Sequence, residues 1–242
     1  MFLTIDMKPI EQPTDARDFE RSSKPIIALN LKVYTESLGE KGAELCKHAA
    51  EVSLLTGVRV IVAPQAVDLR EACQTCTDVF AQHVDVNEPG AFTGTLTVEA
   101  IKAAGCKGSL VNHSEHRVPE KQIADTIARL KEAGLESMLC TKDAAESARL
   151  AKYEPTYIAV EPPELIGSGI SVSTAKPEVV KESVEAVAKV NKTPVLCGAG
   201  VSNASDVKKA VELGAKGVLL ASAYVKAKDP KALLLSMAEA IA

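Results

Sequence analysis

Eight short apolar runs, each followed by a longer segment with a helical apolar period, constrain this chain more than any other feature it has. The strand-like runs span 25–30, 58–64, 78–84, 107–112, 135–140, 155–161, 193–198 and 216–222. The helical patterns span 35–56, 67–76, 97–104, 120–133, 143–153, 176–190, 204–213 and 230–242. Gly57, Gly105, Gly134 and Gly214 each stand after a helical pattern and just before a strand-like run, where a left-handed C-terminal cap belongs. Asn203 and Asp229 stand at helix starts as N-caps. Eight alternations with no interrupting domain argue for an α/β chain folded as a closed (β/α)8 barrel. An open doubly wound sheet is the structural alternative. It usually holds fewer strands and often carries GxGxxG after one of them. Here Gly167-Ser168-Gly169 runs on into Ile170-Ser171-Val172, and no GxxxxGK[ST] loop occurs.

With 242 residues, the chain has room for two small domains or one large barrel. Hydrophobic residues make up 46% and aromatics only 3%, a Val, Ile, Leu and Ala core that suits parallel strands buried on both faces. A net charge of −4 gives no basis for nucleic-acid binding. No apolar run reaches the length of a membrane span, and the first residues lack the basic start and apolar stretch of a signal peptide. The expectation is a soluble, cytoplasmic protein with neither membrane nor nucleic-acid partner. Residues 1–23 are polar and stand outside the alternation, so they read as a poorly ordered extension before a single barrel domain over 24–242. The six cysteines are scattered and do not resemble a disulfide framework. Cys73-Gln74-Thr75-Cys76 invites a zinc or redox reading. No second CxxC or close His pair completes a ligand set, and two small residues near a helix end is the better account, so no metal is expected.

In such a barrel, reactive groups gather at the C-terminal ends of the strands. The first run ends in Asn30-Leu31-Lys32, and alternation turns Asn30 and Lys32 toward the barrel mouth. The fourth ends in Val111-Asn112 and passes into His113-Ser114-Glu115-His116-Arg117, with His113 at the mouth and His116 facing outward. The sixth delivers Glu161, then Pro162-Pro163-Glu164-Leu165-Ile166-Gly167-Ser168-Gly169. Two prolines stiffen that exit, and the bare backbone of Gly-x-Gly can approach an anion. The seventh and eighth end in Cys197-Gly198-Ala199-Gly200 and Ala221-Ser222-Ala223, small residues that leave N–H groups open where barrels of this type hold phosphate. Each group has a bland explanation: a solvated lysine, a structural imidazole, a salt-bridged carboxylate, a tight turn. Their coincidence at one end of one barrel does not.

Four of these segments also carry a resemblance. Asn30-Leu31-Lys32, Gly90-Ala91-Phe92-Thr93-Gly94, Asn112-His113-Ser114-Glu115-His116-Arg117 and Glu161 to Gly169 resemble, in order, the Asn-x-Lys, GAFTG, GHSERR and EPxxxIGTG motifs of the triosephosphate isomerase family in its shorter archaeal form. The likeness runs from Lys24 through nearly all that follows. Asn112 replaces a Gly, His116 is a variation, and Ser168 replaces a Thr. The resemblance implies a TIM barrel acting on a triose phosphate in glycolysis and gluconeogenesis, with no cofactor. It implies Glu161 as the base, His113 as the group that polarises the carbonyl, and Lys32 as the stabiliser of enediolate charge. Asn30, Leu31, Ile166, Gly167, Gly198, Gly200, Ala221 and Ser222 are the implied substrate-binding positions, with Ser114 and Glu115 in support. Pro162, Pro163, Glu164, Leu165, Ile166 and Gly167 are the implied lid. Residues 90–94 imply self-association to a dimer or tetramer, since that loop enters a neighbour's active site in the family.

Two other readings fit the sequence. Another sugar-phosphate isomerase or aldolase would share the fold and cradle without needing Lys32, His113 and Glu161 on strands one, four and six. A non-catalytic barrel that binds a phosphorylated metabolite is the second, and such a protein is expected to have lost one of the three.

Overall fold

The computed structural model describes residues 25–76, 78–162, 173 and 176–242. The expectations for residues 1–23 and for Pro163 to Gly167 lie outside them. Eight parallel strands form one sheet: β1 (Ile26–Asn30), β2 (Arg59–Ala63), β3 (Phe80–Ala81), β4 (Gly108–Val111), β5 (Glu136–Thr141), β6 (Tyr157–Val160), β7 (Val195–Cys197) and β8 (Gly217–Leu220). Their order is β2-β1-β8-β7-β6-β5-β4-β3. The two ends of that order meet where Val62 N–H donates to the Asp78 carbonyl at 2.9 Å and Val62 bridges Val79. The sheet is a (β/α)8 barrel.

Strand alternation sorts the core into two layers. Ile26, Ala28, Ile61, Phe80, Leu110, Met138, Ala159, Leu196 and Leu219 fill the barrel. Ile27, Leu29, Leu31, Val60, Val62, Val111, Ile158 and Val160 face the helices. Carried one step further, the same alternation turns Asn30 and Glu161 inward at the top of the barrel.

The surrounding helices are α1 (Glu40–Thr56), α2 (Leu69–Thr75), α3 (Val98–Ala104), α4 (Glu120–Glu132), α5 (Ala144–Ala151), α6 (Pro177–Ala188), α7 (Ala204–Glu212), α8 (Ser222–Val225) and α9 (Pro230–Glu239). Gly57, Gly105, Gly134 and Gly214 take φ of 69°, 105°, 72° and 95°, the left-handed conformation expected of caps. Asn203 and Asp229 accept hydrogen bonds from the N–H groups of Asp206 and Ala232, as N-caps do. None of the described helices is long and apolar enough to cross a membrane.

The structure departs from the sequence reading at several element boundaries. The pattern over 35–56 breaks into a 3-10 turn (Thr35–Ser37) and α1, because Gly39 takes φ 54° between them. β3 covers only two of the seven residues expected. The last strand stops at Leu220 rather than Ser222, and α8 follows at once.

Candidate active site

A cavity of about 360 Å³ opens at the C-terminal end of the barrel, lined among others by Asn30, Lys32, His113, Glu161, Gly198, Gly200, Ala221 and Ser222. Eight positions singled out on five different strand ends thus share one wall. Leu31 does not. Its side chain is fully buried in the layer between barrel and helices, since between two inward residues a side chain faces outward, so only its backbone is left for the implied substrate contact. Ile166 and Gly167 lie outside the described residues, as does the lid beyond Pro162.

Lys32 sits just past β1 at φ 48°, a left-handed conformation that a lysine holds at a cost of roughly 1–2 kcal/mol. Its surroundings explain why the conformation persists. The Lys32 N–H donates to Asn30 Oδ1 at 3.0 Å, and Gln82 Nε2 donates to its carbonyl at 3.0 Å. The Lys32 ammonium is 2.7 Å from Glu115 Oε1, a contact that aims the amine across the pocket floor.

His113 follows Asn112, which stands at φ 60° where the resembling motif has Gly. Asn is among the few residues with a side chain that tolerate this region. Here the amide also works: Nδ2 donates to the Cys140 carbonyl at 3.0 Å and Oδ1 accepts from Val118 N–H at 3.1 Å. Both bonds hold the turn that presents His113. The Glu115 N–H donates to His113 Nδ1 at 3.2 Å, so the lone pair is on Nδ1 and the proton on Nε2. Asn30 Oδ1 is used by Lys32, which leaves the Asn30 amide N–H group 3.4 Å from that Nε2–H. Two donors from β1 and β4 therefore stand side by side in the lining of the cavity. What suits that place is an oxygen that gains negative charge.

Glu161 completes the arrangement. It is only 4% exposed, with Oε1 3.6 Å from His113 Nε2. Among the described residues, buried Oε2 has no hydrogen-bond partner. An unsatisfied buried carboxylate oxygen is expensive, and such groups mark sites where strain or chemistry is stored. Gly198 explains how the carboxylate fits: a Cβ there would lie 2.6 Å from Glu161 Cγ and 3.1 Å from the Val160 carbonyl. Cys140 packs close by, its thiol held well above the usual range by burial and then by the Glu161 carboxylate. Ser114 Oγ is buried without a partner among the described residues.

Across the cavity, the loop after β7 is drawn tight by Asp206, whose Oδ2 accepts from Ser202 N–H at 2.9 Å and Ser202 Oγ at 3.0 Å. Gly200 turns it at φ 68°. The loop after β8 passes directly into α8, the short extra helix that barrels of this kind use beside phosphate. The sequence reading missed three polar lining residues here: Tyr34, Ser202 and Lys226. Tyr34 carried a signal, since Asn30, Lys32 and Tyr34 share an i, i+2, i+4 spacing. Lys226 carried none, because its position depends on α8. His116 is exposed and stacks on His83 at 4.0 Å, away from the cavity as expected. Within the CxxC, the Cys73 sulfur lies 3.9 Å from that of Cys106.

The triosephosphate isomerase family model matches residues 25–241. The chain is 52% identical over 210 residues to the triosephosphate isomerase of Methanothermus fervidus, covering 86% of this chain and 95% of that one. It is 51% identical to that of Methanocaldococcus jannaschii, covering 84% and 94%. The triosephosphate isomerase of Cenarchaeum symbiosum is 42% identical, with 90% and 98% covered.

Proposed function

The chain belongs to the triosephosphate isomerase family, and from that premise we propose that Glu161, His113 and Lys32 carry the family's reaction in this cavity. The protein is an aldose–ketose isomerase that interconverts dihydroxyacetone phosphate and glyceraldehyde 3-phosphate, a step of glycolysis. The same chemistry serves gluconeogenesis in the reverse direction. A carboxylate base beside an imidazole that donates a hydrogen bond is already established for this family. Glu161 removes a proton from the carbon next to the substrate carbonyl and returns it to the adjacent carbon, while His113 carries the hydroxyl proton from one oxygen to the other, so that the old carbonyl becomes a hydroxyl and the old hydroxyl a carbonyl. The enediolate oxygen formed between these steps lies against His113 Nε2–H and the Asn30 amide. Lys32, steered by Glu115, adds a full positive charge at that oxygen. Backbone N–H groups at Gly198–Gly200 and Ala221–Ser222 take the phosphate.

The observation that carries this reading is the Glu161 carboxylate, buried 3.6 Å from His113 Nε2 with one oxygen unpartnered among the described residues. A coupled assay of triose phosphate interconversion, wild type beside Glu161→Ala, tests it. We expect kcat to fall by a factor corresponding to several kcal/mol, about 10³ or more, with KM changed far less. Turnover near that of the wild type would overturn the assignment of the base.

Self-association through the 90–94 loop belongs to the same proposal, supported by apolar side chains turned to solvent at Val33 (72% exposed) and Phe92 (56%). A cytoplasmic site of action suits a chain whose six cysteines are free thiols.

A further inference from the structure

One more cationic residue lines the cavity besides Lys32, whose ammonium pairs with Glu115, while Glu161 adds a buried negative charge. Lys226 stands just past α8, with no carboxylate in ion-pair reach among the described residues. Its ammonium lies 4.4 Å from the centroid of the Tyr34 ring.

The geometry points to Lys226, seated on Tyr34, as the cation that captures the phosphate end of the substrate and selects phosphorylated over unphosphorylated trioses. The aromatic seat is what suits it to the task. A ring face attracts the ammonium without cancelling its charge, whereas a carboxylate would neutralise it. Both halves of the pair are fixed from beneath. Buried Ser37 donates through Oγ to the Leu31 and Tyr34 carbonyls at 3.0 and 2.9 Å, pinning the turn that presents the ring. Tyr224 in α8 is fully buried and donates its hydroxyl to the Leu45 carbonyl in α1 at 2.7 Å, which anchors the helix that ends at Lys226. Lys226 N–H then closes that helix on the Ser222 carbonyl at 2.9 Å. Lys226 is exposed at the rim of the cavity, between two anchored turns, with its ammonium over the Tyr34 ring. The nature of the triose rests on the isomerase reading above, but the capture of phosphate does not.

Inorganic phosphate is therefore the probe. Calorimetry on the full chain is expected to show phosphate binding weakened about tenfold in Lys226→Met and largely restored in Lys226→Arg. Tyr34→Leu is expected to weaken it about threefold and Tyr34→Phe to leave it close to the wild type, since Phe keeps the ring face. Selectivity, read as kcat/KM for glyceraldehyde 3-phosphate over kcat/KM for glyceraldehyde, should drop about tenfold in Lys226→Met and lose part of its salt dependence. A purely structural role would lower both numbers of that ratio together. Phosphate affinity within twofold of the wild type in Lys226→Met overturns the proposal. If that variant does not fold, Tyr34→Leu matching Tyr34→Phe in phosphate affinity overturns it instead. A wild type that binds phosphate yet does not interconvert triose phosphates would sink the isomerase reading alone, because the phosphate comparison still decides the role of Lys226.

Discussion

Gly198 shows how closely single residues set this site. Its missing side chain is the space that Glu161 occupies, with Cγ only 2.6 Å from where a Cβ would be. The carboxylate then stands where His113 Nε2 and the Asn30 amide converge. In Gly198→Ala the Glu161 side chain must move by a few tenths of an ångström or more, since the Val160 carbonyl blocks retreat on the other side. Misplacement of about 1 Å can cost on the order of 100-fold in rate. We expect kcat to fall about 10- to 100-fold while the thermal unfolding midpoint shifts by only a few degrees; unchanged kcat would show that Glu161 has slack. From sequence, Gly198 was legible as a bare-backbone position near an anion, but its service to the carboxylate was not, because that contact joins two neighbouring strands. Asn112 is a similar case. Its identity departs from the resembling motif, and only the paired bonds to the Cys140 carbonyl and the Val118 N–H show that the replacement secures His113.

Among the elements, several strands, β6 with Glu161 at its far end among them, are joined at their N-terminal ends by one residue. Arg59 opens β2, and its guanidinium meets Asp78 just before β3 at 2.7 Å, Glu136 at the start of β5 at 2.6 Å and the Tyr157 hydroxyl at the start of β6 at 2.9 Å. This face of such a barrel serves stability rather than catalysis. Arg59→Met would strand two largely buried carboxylates, a change of about 3 kcal/mol. A urea midpoint lowered accordingly, with kcat held, is the expected result; a midpoint equal to the wild type would mean that the carboxylates find other partners. The elements themselves were the most legible layer, since apolar period and glycine caps are local properties of the chain. What stayed hidden were features decided by contacts far apart in sequence. β3 shrinks to Phe80–Ala81. α8 forms because Tyr224 has Leu45 to bond to, 179 residues away. Lys226 followed α8 out of sight, and the Arg59 cluster, spread over 98 residues, left no local mark.

Across the molecule as a whole, buried thiols set one limit and an uncovered surface sets another. Burial, joined for Cys46 by nearby acidic and thiol groups, pushes Cys46 and Cys197 from their ordinary value of 9.0 up to about 12. The folded chain therefore keeps protons that the unfolded chain releases near pH 9. Their contribution to stability is complete below pH 9 and is lost as pH rises toward 12. Between pH 8 and 10, Cys46→Ala should lose about 1.4 kcal/mol less stability than the wild type, measured by urea unfolding at both values; equal losses would mean that Cys46 ionises freely. The uncovered surface lies beside Lys32. Val33 follows Lys32 directly and is 72% exposed, while Phe92 projects from the Gly90–Gly94 loop. Exposed apolar groups of this size beside a strained functional residue are what an interface would cover. A neighbour's loop packed on Val33 would hold Lys32 at its φ of 48° and keep its amine aimed inward. If association through this surface completes the site, kcat/KM rises with protein concentration as mass action requires. Phe92→Glu places a charge in that contact. Sedimentation should show a smaller species than the wild type, and kcat/KM at equal concentration should fall at least about tenfold. If the variant sediments as the wild type does, Phe92 lies outside any interface; if it becomes smaller yet keeps full activity, Lys32 needs no neighbour to hold it.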